Sequence, residues 1–177
     1  MWLSITTAFL VAGTIIGVII ALVQLNGISE TSKADFMLKF KDSFFKKEAR
    51  ELMNQIDRDS LKFVLTKDSI SEFMITRHDS QVVVSAYDVD QYLLDQFDAL
   101  GLYERKGIVS LDMVYNIFDW YIEECWEDPE ISKYVQFERR EYGPDQYRNF
   151  EYIYYKCHAI YRENKDMQNG VYNPRGR

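Results

Sequence analysis

Residues Trp2–Leu25 read WLSITTAFLVAGTIIGVIIALVQL, an apolar run inside a stretch, 1–29, with no charged side chain. As a helix rising about 1.5 Å per residue, these 24 residues reach ~36 Å, enough to cross a hydrocarbon core of about 30 Å. The stretch therefore predicts an N-terminal transmembrane helix over 1–29. A secretory signal would have a basic start, an apolar run of about 7–15 residues and a small-residue cleavage site. Nothing basic precedes this run, and Val23-Gln24-Leu25-Asn26 after Ala21 has no small-x-small pattern. The segment is expected to stay as an anchor.

The flanking cations set the expected orientation. No Lys or Arg precedes the run, whereas Lys33, Lys39, Lys41, Lys46, Lys47 and Arg50 follow it. The positive-inside bias puts the N-terminus outside and the C-terminal domain in the cytoplasm. Two cysteines, Cys125 and Cys157, are no disulfide framework and agree with that compartment. Within the run, Gly13 and Gly17 form a GxxxG that Ala21 continues, and Ser4, Ala8 and Ala12 make a second small-residue stripe. Such stripes let helix backbones approach closely, so Gly13, Gly17 and Ala21 are the expected transmembrane helix–helix interface.

Charge is distributed unevenly. The chain carries −7, but residues 31–50 hold six basic and three acidic side chains, a local +3, and 51–177 hold fifteen and twenty-four, a local −9. The basic stretch suits the bilayer surface as a partner, and the acidic body disfavours nucleic-acid phosphates. Aromatic residues make up 15% of the chain, including 13 tyrosines, and residues 30–162 suffice for one domain with a core. From Glu163 to Arg177 the periodicity fades around Gly170, Pro174 and Gly176, which reads as a flexible tail over 163–177.

The domain reads as all-α. Phe36, Phe40 and Phe44 recur every fourth residue after Ser32, and Ala49, Leu52, Met53 and Ile56 extend the apolar face past a bend near Ser43. Asp57–Ser60 reads as a turn before a short helix with Leu61, Val64 and Leu65 inward. Ser69-Ile70-Ser71-Glu72 fits a capping box leading into Phe73-Met74-Ile75. Val82-Val83-Val84 is β-branched but has no evident partner strand, and is read as a turn entering the next helix. That helix puts Val89, Leu93, Phe97 and Leu100 on one face and ends at Gly107. Ser110 caps another with Leu111, Val114, Phe118, Ile122 and Cys125 inward; Pro129 ends it or starts the next turn. Gly143-Pro144-Asp145 opens the last helix, with Tyr147, Phe150, Tyr154, Cys157 and Tyr161 repeating.

Several of these pieces, in this order, resemble a known family. They are an N-terminal anchor, Phe44–Arg50 (FFKKEAR), Leu94–Leu102 turning through Arg105–Val109, Val114–Phe118 (VYNIF) and Asn149–Tyr152 (NFEY). Together they resemble a bacterial and phage-borne family known only as a domain of unknown function, number forty-seven sixty. The resemblance would cover most of residues 1–160 and implies the architecture; it brings no activity, cofactor or catalytic residue.

Candidate chemistry is sparse. The turn at 101–111 has an EF-hand-like glycine, Gly107, but Leu102, Glu104 and Arg105 stand where calcium needs spaced carboxylates. Asp119, Glu123, Glu124, Glu127 and Asp128 surround Trp120 and Trp126, and Glu123 and Glu127 share a helix face. They could hold a cation or act as acid and base, but a metal would need further ligands from elsewhere; a solvated acidic face is the simpler reading. Cys157 and His158 point about 100° apart on a helix and form no nucleophile–base pair. No catalytic, cofactor-binding or metal-ligating residue is assigned, and no cofactor is expected. Trp120, Glu123, Trp126 and Glu127 are the expected interaction surface.

The functional expectation is a single-pass membrane protein. It would be a non-enzymatic accessory or scaffold subunit assembling with a protein partner, or with itself, through its helical domain and transmembrane helix. Two alternatives stand beside it: a membrane-tethered sensor or enzyme using the acidic–aromatic surface, and a phage or mobile-element protein acting at a host membrane.

Overall fold

A computed structural model describes residues 30–66, 71–77 and 80–168. Helix α1 covers 30–44 and is followed by α2 (Lys47–Asp57), β1 (Leu61–Leu65), β2 (Ser71–Arg77) and β3 (Ser80–Ser85). Then come α3 (Ala86–Val89), a π-helical turn (Asp90–Leu94), α4 (Asp95–Arg105), α5 (Leu111–Glu127), α6 (Pro129–Tyr142) and α7 (Arg148–Gln168).

The all-α expectation is therefore corrected. Residues between Leu61 and Ser85 build a three-stranded antiparallel sheet in the order β1-β2-β3. The register aligns Leu61 with Ile75 and Val82, and Phe63 with Phe73 and Val84, so these six share one sheet face. The segments read as short helices are strands, and Glu72 is a strand residue rather than the end of a capping box. Alternation explains the difference: Leu61 and Phe63, Phe73 and Ile75, Val82 and Val84 each recur at period two. Each short run finds its partner in the others, so Val82-Val83-Val84 did have a partner strand.

The single-pass membrane topology and the membrane localisation are corrected as well. Among the described residues no helix is long and apolar enough to cross a membrane. Helix α7 has the length, 21 residues, but Arg148, Glu151, Lys156, Arg162, Glu163 and Lys165 interrupt it. The anchor over 1–29, with Gly13, Gly17 and Ala21, lies outside the described residues.

Elsewhere the helical periodicity translates into packing. Phe44 is buried between Phe97, with ring centroids 5.0 Å apart, and Phe118 at 5.3 Å. Val89, Leu93, Phe97 and Leu100 are fully buried, as are Val114, Phe118, Ile122 and Cys125. The Ser110 hydroxyl accepts the Met113 amide and starts α5, and Gly107 (φ 70°) takes the left-handed conformation past the end of α4. Helix α6 follows from Asp128-Pro129: the Asp128 carboxylate accepts the Glu130 and Ile131 amides at 2.8 Å each, and proline needs no amide partner at the first helical position. The π turn carries Asp90, which accepts hydroxyl hydrogen bonds from Tyr134 of α6 (2.7 Å) and Tyr147 (2.6 Å). Helix α7 continues past Glu163 to Gln168.

Candidate functional site

The two edges of the sheet are treated differently. Along β1, the buried Glu130 of α6 reaches out: its Oε2 accepts the Phe63 amide at 3.0 Å, and its Oε1 meets Lys133 at 2.8 Å and Lys62 at 3.5 Å. Burial alone would raise the Glu130 pKa. The hydrogen bonds from Lys133 and the Phe63 amide, with both lysine charges, outweigh it and hold the carboxyl below its ordinary value. Phe63 also packs on Tyr134 and Phe137, so α6 closes this edge.

Among the described residues β3 has no such cover. Thr76 donates its amide to the Ser60 carbonyl, on the β1 side. Its partner Gln81, and Val83 two residues on, therefore turn their backbone amides and carbonyls outward, as alternation in an antiparallel ladder requires. Val83 is 55% exposed and Val82 43% exposed, although Val82 lies on the same sheet face as the buried Ile75. The reason is a cleft of about 340 Å³ between α2, the sheet and the α3–π turn segment. Its floor is apolar (Leu52, Ile75, Val82, Val84 and Tyr92), and Glu48, Glu51 and Asp88 bring carboxylates to it. A larger recess of about 700 Å³ across α2 is lined by polar and charged residues, Lys47, Arg50 and Arg58 among them.

The surface expected from the sequence lies elsewhere, on α5, and only part of it is surface. Trp120 is 46% exposed, with its ring edge-on to Tyr121 at 4.8 Å. Trp126 turns inward: its ring meets Phe150 at 4.9 Å, stacks on Tyr154 at 5.8 Å and lies under the Arg139 guanidinium. It is a packing residue joining α5, α6 and α7. Glu123 and Glu127 do share a face, and α7 supplies Tyr154 and His158 opposite them. The Tyr154 hydroxyl donates to Glu127 Oε1 at 2.7 Å, and His158 Nδ1 lies 3.4 Å from Glu123 Oε1. Asp119, one turn earlier, has its pKa raised to about 6 by burial first and by the Glu123 charge, with His158 pulling the other way.

The cysteines are both buried thiols. Burial pushes Cys157 up to about 12, with Asp119, Glu104 and Glu123 adding to it, and raises Cys125 well above its ordinary value. A thiolate nucleophile is disfavoured at either position.

The β3 cleft is hidden in the sequence as long as Val82 and Val84 read as a turn. Period-two alternation is the signal available. Tyr154 and His158 are likewise hidden as partners of Glu123 and Glu127. Both pairs are spaced four apart, which is what two facing helices need to meet twice.

No family model matches the chain, and no curated protein or solved structure matches it. Function has to be read from this chain's own residues.

Proposed function

We propose that this chain is a non-enzymatic interaction module that captures an extended, basic–apolar segment of a partner protein on the uncovered edge of β3. The observation that carries this reading is a strand edge at Gln81 and Val83 that no described strand pairs, with an apolar cleft beside it. Strand addition uses the same two parts: backbone bonds along the edge for affinity, and a cleft for alternate side chains for specificity. An uncovered edge is an aggregation liability that proteins ordinarily block, as Glu130 and α6 do for β1.

The chemistry of the occupant follows from charge. Glu48 and Asp88 border the cleft, and the chain as a whole carries −7. A segment alternating apolar with Lys or Arg side chains would fill the floor and meet those carboxylates. A second copy of this chain would bring a like net charge, so a basic partner is favoured over self-pairing.

Selection of random peptides on the immobilised full-length chain tests the reading. Enriched peptides should alternate apolar and basic residues and should protect β3 amides from hydrogen exchange. Val83→Pro removes an outward amide without touching the β2–β3 ladder, and should abolish binding of the selected peptide. Enrichment of no such peptide, or binding unaffected by Val83→Pro and by Val82→Glu, would refute the proposal.

A further inference from the structure

A second site, independent of the β3 cleft, lies at the seam between α5 and α7. The geometry points to a divalent transition-metal site, with Zn²⁺ the best chemical fit, held by Glu123 and Glu127 of α5 and His158 of α7. One potential ligand atom from each of the three lies within 4.8 Å of the others. Ligands about 2.0–2.2 Å from a tetrahedral zinc are separated by roughly 3.3–3.6 Å, so rotations moving these atoms by about 1 Å would close the set. Glutamate side chains have the torsional freedom for that movement.

Three further observations favour a cation here over a solvated acidic face. The first is His158 Nδ1, which is shielded from solvent and has no hydrogen-bond partner among the described residues. Its 3.4 Å separation from Glu123 Oε1 leaves both atoms poised around a common centre. A buried imidazole nitrogen without a partner is costly, and a metal ion would satisfy it. The second is the support behind the ligands. Tyr154 donates to Glu127 Oε1 at 2.7 Å, and the His158 ring stacks on Tyr154 at 5.6 Å and lies tilted against Tyr161 at 6.2 Å. Hydrogen bonds and packing behind the ligands orient them for a metal. The third is charge. Two carboxylates would neutralise a dication, and Asp119 faces the same region from one turn away.

Donor type selects the ion. An imidazole nitrogen with two carboxylates suits zinc and its neighbours, whereas magnesium and calcium prefer an all-oxygen shell. Three protein ligands leave one tetrahedral position for water or for an anionic group. The ion would tie α5 to α7 beside the Tyr154–Glu127 hydrogen bond and the Trp126–Tyr154 stack, where Glu123 and His158 approach only to 3.4 Å.

The test is calorimetric titration of the full-length, chelator-treated chain with ZnCl₂, and separately with MgCl₂. The expected result is one Zn²⁺ per chain, a raised thermal midpoint, and no saturable Mg²⁺ binding. Co²⁺ in place of Zn²⁺ should give visible d–d bands without the thiolate charge-transfer band that Cys125 or Cys157 would produce. His158→Ala and the isosteric Glu123→Gln should each weaken binding at least tenfold. If His158→Ala does not fold, Glu123→Gln alone decides. No stoichiometric Zn²⁺ binding in the parent, a thiolate band, or undiminished binding in Glu123→Gln would overturn the site. None of these outcomes bears on peptide capture at β3.

Discussion

Gly101→Ala is a sharp test of how α4 and α7 meet. A Cβ at Gly101 would stand 2.0 Å from the Asn149 carbonyl oxygen and 2.7 Å from its carbon, where ordinary contact begins near 3.4 Å. The obstacle is backbone, which cannot swing aside, so the helices must separate by about 1.4 Å (3.4 − 2.0) along that line. Three residues away, Asp98 is bonded to the start of α7. Its Oδ1 accepts the Asn149 amide at 2.8 Å and the Phe150 amide at 3.1 Å, and its Oδ2 accepts Asn149 Nδ2 at 2.9 Å. Separation therefore strains a core contact and stretches these bonds together. Overpacking costs about 1–3 kcal/mol, and a weakened hydrogen bond to a charged group about 1.5–3 kcal/mol. Exchanging glycine for alanine within a helix returns about 1 kcal/mol. The net expectation is a loss of ~2–4 kcal/mol, lowering a urea midpoint by roughly 1–2 M for a slope of about 2 kcal/mol/M. Urea melts followed by far-UV circular dichroism measure it, with Asp98→Asn and the double variant completing a cycle. The two changes should be non-additive, because each loosens the same junction. Gly107→Ala is the control: among the described residues nothing but its chain neighbours lies within 4 Å of the added Cβ, and its φ of 70° predicts only the ~1–2 kcal/mol of left-handed backbone strain. A Gly101→Ala protein as stable as its parent would refute the close approach.

Two more predictions concern carboxylates whose environments act in opposite directions. Glu130→Gln should cost ~2 kcal/mol at pH 7, from bonds to a charged group. The Glu130 pKa is held low in the fold, against burial, by Lys133, the Phe63 amide and Lys62, so the unfolded chain binds more protons there. Its stabilising contribution is present above the ordinary carboxyl range and disappears as pH falls through the lowered folded value. The difference between parent and Glu130→Gln should shrink in acid-titrated melts; a constant difference would contradict the assignment. Asp119 is the reverse case. With its pKa raised to about 6 from 3.8, the folded state holds a proton the unfolded state has released, so stability declines as pH rises across that window. Asp119→Asn should be the more stable protein above pH 6 and lose that advantage near pH 4. A carboxyl carbon NMR titration of Asp119 with a midpoint near 4 would rule this out.

What could be read along the chain was what short-range physics writes there. The stripe of Val89, Leu93, Phe97 and Leu100 from α3 through the π turn into α4, the Ser110 cap, the Gly107 turn and the shared face of Glu123 and Glu127 all depend on residues within a turn or two of each other, so spacing alone is informative. The sheet was not legible in the same way. Its strands are five to seven residues long, too short for periodicity to separate strand from helix, and Val82-Val83-Val84 is a strand only because Phe73 and Ile75 lie beside it. Helix α6 was missed because Asp128-Pro129 both ends one helix and starts another. Both proposed sites are tertiary. Among the described residues α6 and Glu130 close the β1 edge and nothing lies along β3, and Tyr154 and His158 meet Glu127 and Glu123 because α5 and α7 pack side by side. Residue types and local spacing set the elements; only the packing of distant segments decided which edge stayed open and which side chains came to face each other.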